Sequence, residues 1–151
     1  MIKGRTFGIV NGIIMMLSVI IGLYATKVNK VGVIGAILAL VIADPLCDAY
    51  SIYVAEKEDN SDHAYDIGKE AFLSQFILQA LFLIIIICCP TVSMGVLVSI
   101  ITSIIILIVY SIKKQLKIKE VLYNFIGIAV LISITYASDR GVYHFFERKN
   151  K

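Results

Sequence analysis

The sequence predicts an all-α membrane protein with five transmembrane helices, and two observations lead to this prediction. The first is composition: 59% of the 151 residues are hydrophobic and the mean hydropathy is +0.89. Soluble domains average roughly 45–50% apolar residues, and a chain this short cannot bury such an excess in one core. The second is that the charged residues, 17% of the chain, gather in short clusters between long apolar runs. Lipid is therefore the expected solvent.

Five apolar runs are long enough to cross a bilayer, which takes about 20 residues. Lys27 ends the first run and Glu56 ends the second, while Pro90 separates the third from the fourth. Lys113 ends the fourth run, and the fifth begins near Glu120. No Gly/Ser-rich linker interrupts the chain, so residues 1–151 are interpreted as a single transmembrane domain. The predicted spans are about 7–26, 31–55, 71–89, 91–112 and 120–140.

The distribution of basic residues predicts the orientation of this multi-pass chain. With the N-terminus inside, eight of the 14 Lys and Arg residues fall on the inner side and six on the outer side. Because cytoplasmic loops carry the excess of Lys and Arg, this count favours a cytosolic N-terminus. The net charge of +3 is too small to suggest nucleic acid as a partner. The expected surroundings are a lipid bilayer.

The second span contains the most informative pattern, two carboxylates inside an apolar helix. Asp44 and Asp48 are four residues apart, so a helix places them on one face. Each costs about 2.5–3.5 kcal/mol at the centre of a bilayer. Pro45 lacks an N–H and frees the carbonyl of Val41, and Cys47 lies beside this face. Carboxylate and carbonyl oxygens suit hard cations, whereas a thiolate shifts the preference toward iron or zinc. The pattern predicts a divalent cation site.

A structural role for the same carboxylates is the alternative interpretation. Both could be protonated, or hydrogen-bonded across a helix interface, in a membrane assembly or regulatory protein that transports nothing. An enzyme is disfavoured, because the sequence contains no recognisable nucleophile motif, no HExxH, no CxxC and no Gly-rich phosphate loop. No tightly bound cofactor is expected.

An acidic segment, residues 56–70, connects the second and third spans and is expected to be cytosolic. If it were one helix, most of its acidic side chains would share a stripe that gathers cations. The alternative is a solvated connector, which is the usual role of a charge run. The candidate metal ligands in this segment are Glu56, Asp59, Asp62, His63 and Asp66.

Polar residues in two other spans are further candidates. Asn11 interrupts the first span, and Met15 follows one turn later as a possible soft ligand. An amide inside a membrane span usually bonds to another helix. Gln75 and Gln79, four residues apart in the third span, are expected to do the same.

Small residues in the first span predict close helix packing. Gly4, Gly8 and Gly12 repeat at the small-xxx-small spacing that lets two membrane helices approach each other. Gly32 and Ala36 have the same spacing in the second span, and either face could be the seam of a homodimer.

Short motifs in this sequence resemble the vacuolar iron transporter family. Residues 7–12, FGIVNG, resemble that family's F-G-x-x-D-G opening. Residues 43–49, ADPLCDA, together with Tyr53, resemble its A-D-x-x-S-M stretch, and residues 83–90 resemble the end of its third span.

The resemblance implies a five-span homodimer that moves Fe2+ or Mn2+ against protons, with the ion path near the subunit interface between the first and second spans. Asn11 stands where the family has an aspartate, and Asp48 stands where it has a methionine. The family's large cytosolic metal-binding domain is reduced here to the acidic segment 56–70. The transported metal is thus the expected ligand, and the expected site comprises Asn11, Asp44 and Asp48.

Overall fold

The computed structural model describes residues 2–59, 62–114 and 118–149, and every regular element in these ranges is an α-helix. In chain order the helices are α1 Ile2–Ala25, α2 Lys30–Glu58, α3 Ala64–Cys88, α4 Val92–Lys113 and α5 Ile118–Lys149. Several side chains of α5, including those of residues 118–125, lie outside what the structure describes. The all-α prediction is confirmed for the described residues.

Four of these helices are long and apolar enough to cross a membrane. This property identifies the chain as a multi-pass integral membrane protein, and the first four predicted spans coincide with helices. The predicted fifth span, 120–140, falls within the 32 residues of α5, although part of it lies outside the described side chains. The four candidate spans are Gly4–Ala25, Lys30–Glu58, Ala64–Cys88 and Val92–Lys113.

The acidic segment is not one helix. Helix α2 continues to Glu58 and α3 begins at Ala64, so the described residues between them form turns. Asn60 and Ser61 lie outside the described residues. Asp, Asn and Ser compete with helical hydrogen bonds through their own side chains, and residues 59–62 contain only these types. A single acidic stripe along 56–70 therefore does not form.

The chain divides into two compact units. The first comprises Met1–Met16 and Ile34–Ile84, and the second comprises Leu17–Val33 and Ile85–Lys151. Each unit has its own buried apolar side chains. In the first unit they include Ile13, Met16, Ile37, Val41, Ile67, Leu78 and Phe82; in the second they include Leu17, Ile20, Val33, Ile86, Val96 and Leu107.

The glycine face of α1 packs against α3 within the first unit. A Cβ atom added to Gly4 would overlap the carbonyl oxygen of Ile67, and one added to Gly8 would lie 2.5 Å from the carbonyl oxygen of Ala71. Gly12 continues the same contact more loosely. The interpretation of this face as a dimer seam is therefore wrong, because a helix of the same chain already occupies it.

A short connection joins α3 to α4 in the second unit. The hydroxyl oxygen of Thr91 accepts a 3.3 Å hydrogen bond from the backbone N–H of Met94 and so caps α4. At the end of α3, the ammonium group of Lys30 donates to the carbonyl oxygens of Ile87 and Cys89, at 3.0 and 2.7 Å. Carbonyls at a helix C-terminus have no partner inside the helix. A cation there also complements the helix dipole.

Candidate functional site

Asp44 and Asp48 project from the middle of α2 in the first unit. Helix α2 runs without interruption through Pro45, whose side chain is fully buried. Both carboxylates are half-buried, and both point toward side chains from other helices. The predicted i, i+4 pairing on one helix face is therefore present.

Three carboxamides from α1 and α3 hold the carboxylates. Nε2 of Gln75 lies 2.6 Å from Oδ2 of Asp44 and 2.8 Å from Oδ2 of Asp48, so this single amide group bridges the pair. Nε2 of Gln79 donates to the same oxygen of Asp44 at 2.6 Å. From α1, Nδ2 of Asn11 donates to Oδ2 of Asp48. We refer to these five residues as the carboxylate–amide cluster.

The cluster contains two buried oxygen atoms that have no hydrogen-bond partner among the described residues. The side chains of Gln75 and Gln79 are completely inaccessible to solvent, and in both residues Oε1 is unsatisfied. A buried polar atom left in this state costs about 1–3 kcal/mol. Each oxygen belongs to the same amide group whose nitrogen donates to Asp44. Rotation of the two amide groups would turn these oxygens toward the aspartates as further ligands for a cation.

No cation among the described residues balances the charge of the cluster. All four hydrogen bonds to the carboxylates come from neutral amides. Among the residues that the structure describes, neither carboxylate forms an ion pair with a Lys, Arg or His. An isolated buried charge is expensive, so such groups normally acquire a counter-ion or a proton. With both aspartates ionised, the cluster carries two negative charges that one divalent cation or two protons would neutralise.

Two other predicted ligands of the membrane-spanning part stand apart from this hydrogen-bonded set. Cys47 is a free cysteine on the exposed side of α2, and its carbonyl accepts a 2.9 Å bond from the hydroxyl of Ser51. Met15 is half-buried on α1 and takes no part in the hydrogen bonds of the cluster. The ligands that the structure brings together around the aspartates are all oxygen and amide groups.

The candidate ligands of the acidic segment do not converge. Asp59 and Asp62 are exposed in the turn region, and Glu56 is half-buried near the end of α2. His63 and Asp66 approach each other, with Nδ1 to Oδ2 at 3.9 Å, but both side chains are well exposed. Over the described parts of the chain, no three His, Cys, Asp or Glu residues are grouped so as to hold a metal ion. Among the described residues, a cation site at the aspartates would have to include the carboxamides.

For Gln75 and Gln79, the sequence predicted a hydrogen bond to another helix but not which residues would accept it. The prediction that they bond to another helix is confirmed, because both donate to α2. Their position beside the aspartates was not predicted. The spacing of the residues could have indicated it. Asp44 and Asp48 are four residues apart on α2, Gln75 and Gln79 are four residues apart on α3, and two pairs with this spacing can face each other across neighbouring helices.

No protein-family model matches this chain, and comparison with the curated proteins and with the solved structures found no match.

Proposed function

We propose that the protein transports a divalent metal cation, iron or manganese, across its membrane in exchange for protons. The observation that carries the proposal is the carboxylate–amide cluster. Its two aspartates have no counter-ion among the described residues, and the amide groups that hold them have two buried oxygens without a described partner. Intramembrane carboxylates mark ion and proton pathways more often than they serve packing alone. The resemblance of residues 7–12 and 43–49 to the vacuolar iron transporters supports the same activity.

Charge balance supplies the coupling to protons. When a divalent cation leaves the cluster, two negative charges remain in an apolar surrounding. Two protons, one on Asp44 and one on Asp48, restore neutrality and free the site for the return step. Each transport cycle would thus exchange one divalent cation for two protons.

The ligand types favour a hard cation. Binding would rotate the carboxamides of Gln75 and Gln79 so that their oxygens, rather than their nitrogens, face the aspartates. The site would then offer carboxylate and carbonyl oxygens only, which suit manganese, calcium and magnesium better than softer ions. Asn11 can contribute its own carbonyl oxygen in the same way. Oxygen ligands do not by themselves favour manganese over iron, because the affinity of a given site rises from Mn2+ to Fe2+.

The proposal includes the wider architecture. Helix α5 would form the fifth span, the N-terminus would be cytosolic, and two chains would associate as a homodimer. These elements rest on the basic-residue distribution and on the family resemblance. The homodimer has to use a surface other than the glycine face of α1.

Metal-dependent thermal stabilisation tests the proposal. We expect millimolar Mn2+ to raise the unfolding temperature of the purified full-length protein in a neutral detergent. Fe2+, assayed without oxygen, should raise it at least as much. The responses to Zn2+ and Ca2+ show how strictly the site selects among divalent cations. Ligand binding to the folded state alone stabilises it by mass action.

The matched variants for this screen carry the same change in charge. The Asp44→Asn/Asp48→Asn protein should lose the response, whereas Asp59→Asn/Asp62→Asn, altered in the exposed turn, should keep it. A wild-type protein that responds to none of the four ions would refute divalent cation binding.

A non-transporting assembly or regulatory protein is the second candidate, and one observation favours it. The four amide hydrogen bonds already tie α1, α2 and α3 together through the aspartates. If this is their whole purpose, the aspartate variants will lower the yield of folded protein. No metal ion will then change the stability of the wild-type chain.

A further inference from the structure

A groove on the first unit lies between the second half of α2 and the first turns of α3. Its volume is about 550 Å³, within the range of roughly 300–1,000 Å³ that is usual for small-ligand sites. Gly68 allows the two helices to approach at its floor, since a Cβ there would lie 3.0 Å from the carbonyl oxygen of Ala49. The lining residues are Leu46, Ala49, Tyr50, Tyr53, Tyr65, Gly68, Lys69 and Phe72.

The groove crosses the expected boundary of the bilayer. Its α2 residues, 46–53, belong to the end of the predicted second span, and its α3 residues, 65–72, lie around the start of the predicted third span. Tyrosines concentrate at this level of a membrane protein, where one end of the ring is apolar and the hydroxyl is wet. Tyr50 and Tyr65 fit this setting, because 69% and 70% of their surfaces are exposed. One end of the groove therefore faces acyl chains and the other faces headgroups.

The groove includes one positively charged side chain, which belongs to the end of the acidic segment 56–70. Among the described residues, Lys69 is the only charged one that lines the groove, and it forms no ion pair with any of them. A second cation is close, since the ammonium group of Lys57 lies 5.5 Å from the ring centre of Tyr53. Asp66 and Glu70 are near in sequence but do not line the groove. The ammonium group of Lys69, which has no ion-pair partner among the described residues, can therefore bind an anionic group.

We propose that this groove binds an anionic phospholipid. One acyl chain would lie along Leu46, Ala49 and Phe72, and the phosphate would meet the ammonium group of Lys69 and the hydroxyls of the lining tyrosines. A free phosphate would leave the apolar half of the groove unfilled. A zwitterionic lipid would bring its own cation next to Lys69. The site is separate from the carboxylate–amide cluster and does not depend on metal transport.

Thermal unfolding of the full-length chain in a neutral detergent tests this site. Phosphatidylglycerol should raise the unfolding temperature more than phosphatidylcholine with identical chains, and inorganic phosphate should have no effect. In Lys69→Gln the apparent affinity for phosphatidylglycerol should fall about fivefold, the effect of one basic residue near an anionic headgroup. Lys69→Arg should retain the preference. Lys113→Gln, which removes an exposed charge at the end of α4, should behave as the wild type.

Other outcomes would overturn the proposal. Equal stabilisation by the two lipids, or an unchanged response in Lys69→Gln, would show that the groove does not select an anionic headgroup. A full response to inorganic phosphate would indicate a simple anion site. A variant that fills the groove, Ala49→Phe, should weaken binding of phosphatidylglycerol; if it instead changes the mass of the protein–detergent particle, the groove is a contact between two copies of the chain. Lys69 is exposed, so its variants should fold.

Discussion

Replacing both Asp44 and Asp48 by asparagine should lower divalent metal uptake by about a hundredfold or more, while leaving the helices folded. Asparagine has nearly the same shape as aspartate, and its oxygen can still accept hydrogen bonds from the glutamines. The change removes both negative charges. Hydrogen bonds and contacts to a charged group are each worth about 1.5–3 kcal/mol, so losing two such partners weakens binding by at least two orders of magnitude.

Uptake of Mn2+ into liposomes, driven by an imposed pH gradient, measures this effect. Asp59→Asn/Asp62→Asn is the control, because it removes the same charge from the exposed turn and should transport normally. Far-UV circular dichroism and gel filtration establish that each variant is folded. If the Asp44/Asp48 variant takes up Mn2+ at the wild-type rate, the cluster is not the transport site.

Replacing Gly8 by alanine should strongly destabilise the protein, whereas the same exchange at Gly35 should not. A methyl group at Gly8 would meet the carbonyl oxygen of Ala71 at 2.5 Å and overlap Ser74. Backbone atoms cannot yield as a flexible side chain can, so α1 has to move away from α3. Overpacking of this kind costs about 1–3 kcal/mol. At Gly35 nothing lies within 4 Å, and alanine gains up to about 1 kcal/mol of helix propensity over glycine.

The unfolding temperatures of the two alanine variants should therefore move in opposite directions, down for Gly8→Ala and unchanged or up for Gly35→Ala. The movement of α1 should also affect the site, because Asn11 lies one turn beyond Gly8 and donates to Asp48. Equal unfolding temperatures for the two variants would contradict the close α1–α3 contact.

The helices could be predicted from the sequence because each membrane-spanning helix corresponds to a long run of apolar residues. Lys27, Glu56 and Lys113 mark the ends of runs, and the helices end within three residues of them. The conformation of the acidic segment was harder to predict, since its charge pattern is compatible with a helix. The Asp, Asn and Ser residues at 59–62 decide against one.

The partner of a helix face is not encoded in the face itself. The glycines of α1 were correctly associated with close packing, but their spacing does not distinguish a second chain from α3. In the same way, Gln75 and Gln79 were expected to bond to some helix. Only the fold shows that Gln75 bridges Asp44 and Asp48, which turns two separate polar patterns into one site.

The most direct test of the carboxylate–amide cluster as a cation site is a binding titration with Mn2+, followed by electron paramagnetic resonance. Free Mn2+ gives a strong signal that is lost on binding, so the number of sites per chain can be counted in detergent. We predict one site in the wild-type protein and in Asp59→Asn/Asp62→Asn, and none in Asp44→Asn/Asp48→Asn. Retention of that site in Asp44→Asn/Asp48→Asn, or its loss in Asp59→Asn/Asp62→Asn, would contradict the assignment of the cluster.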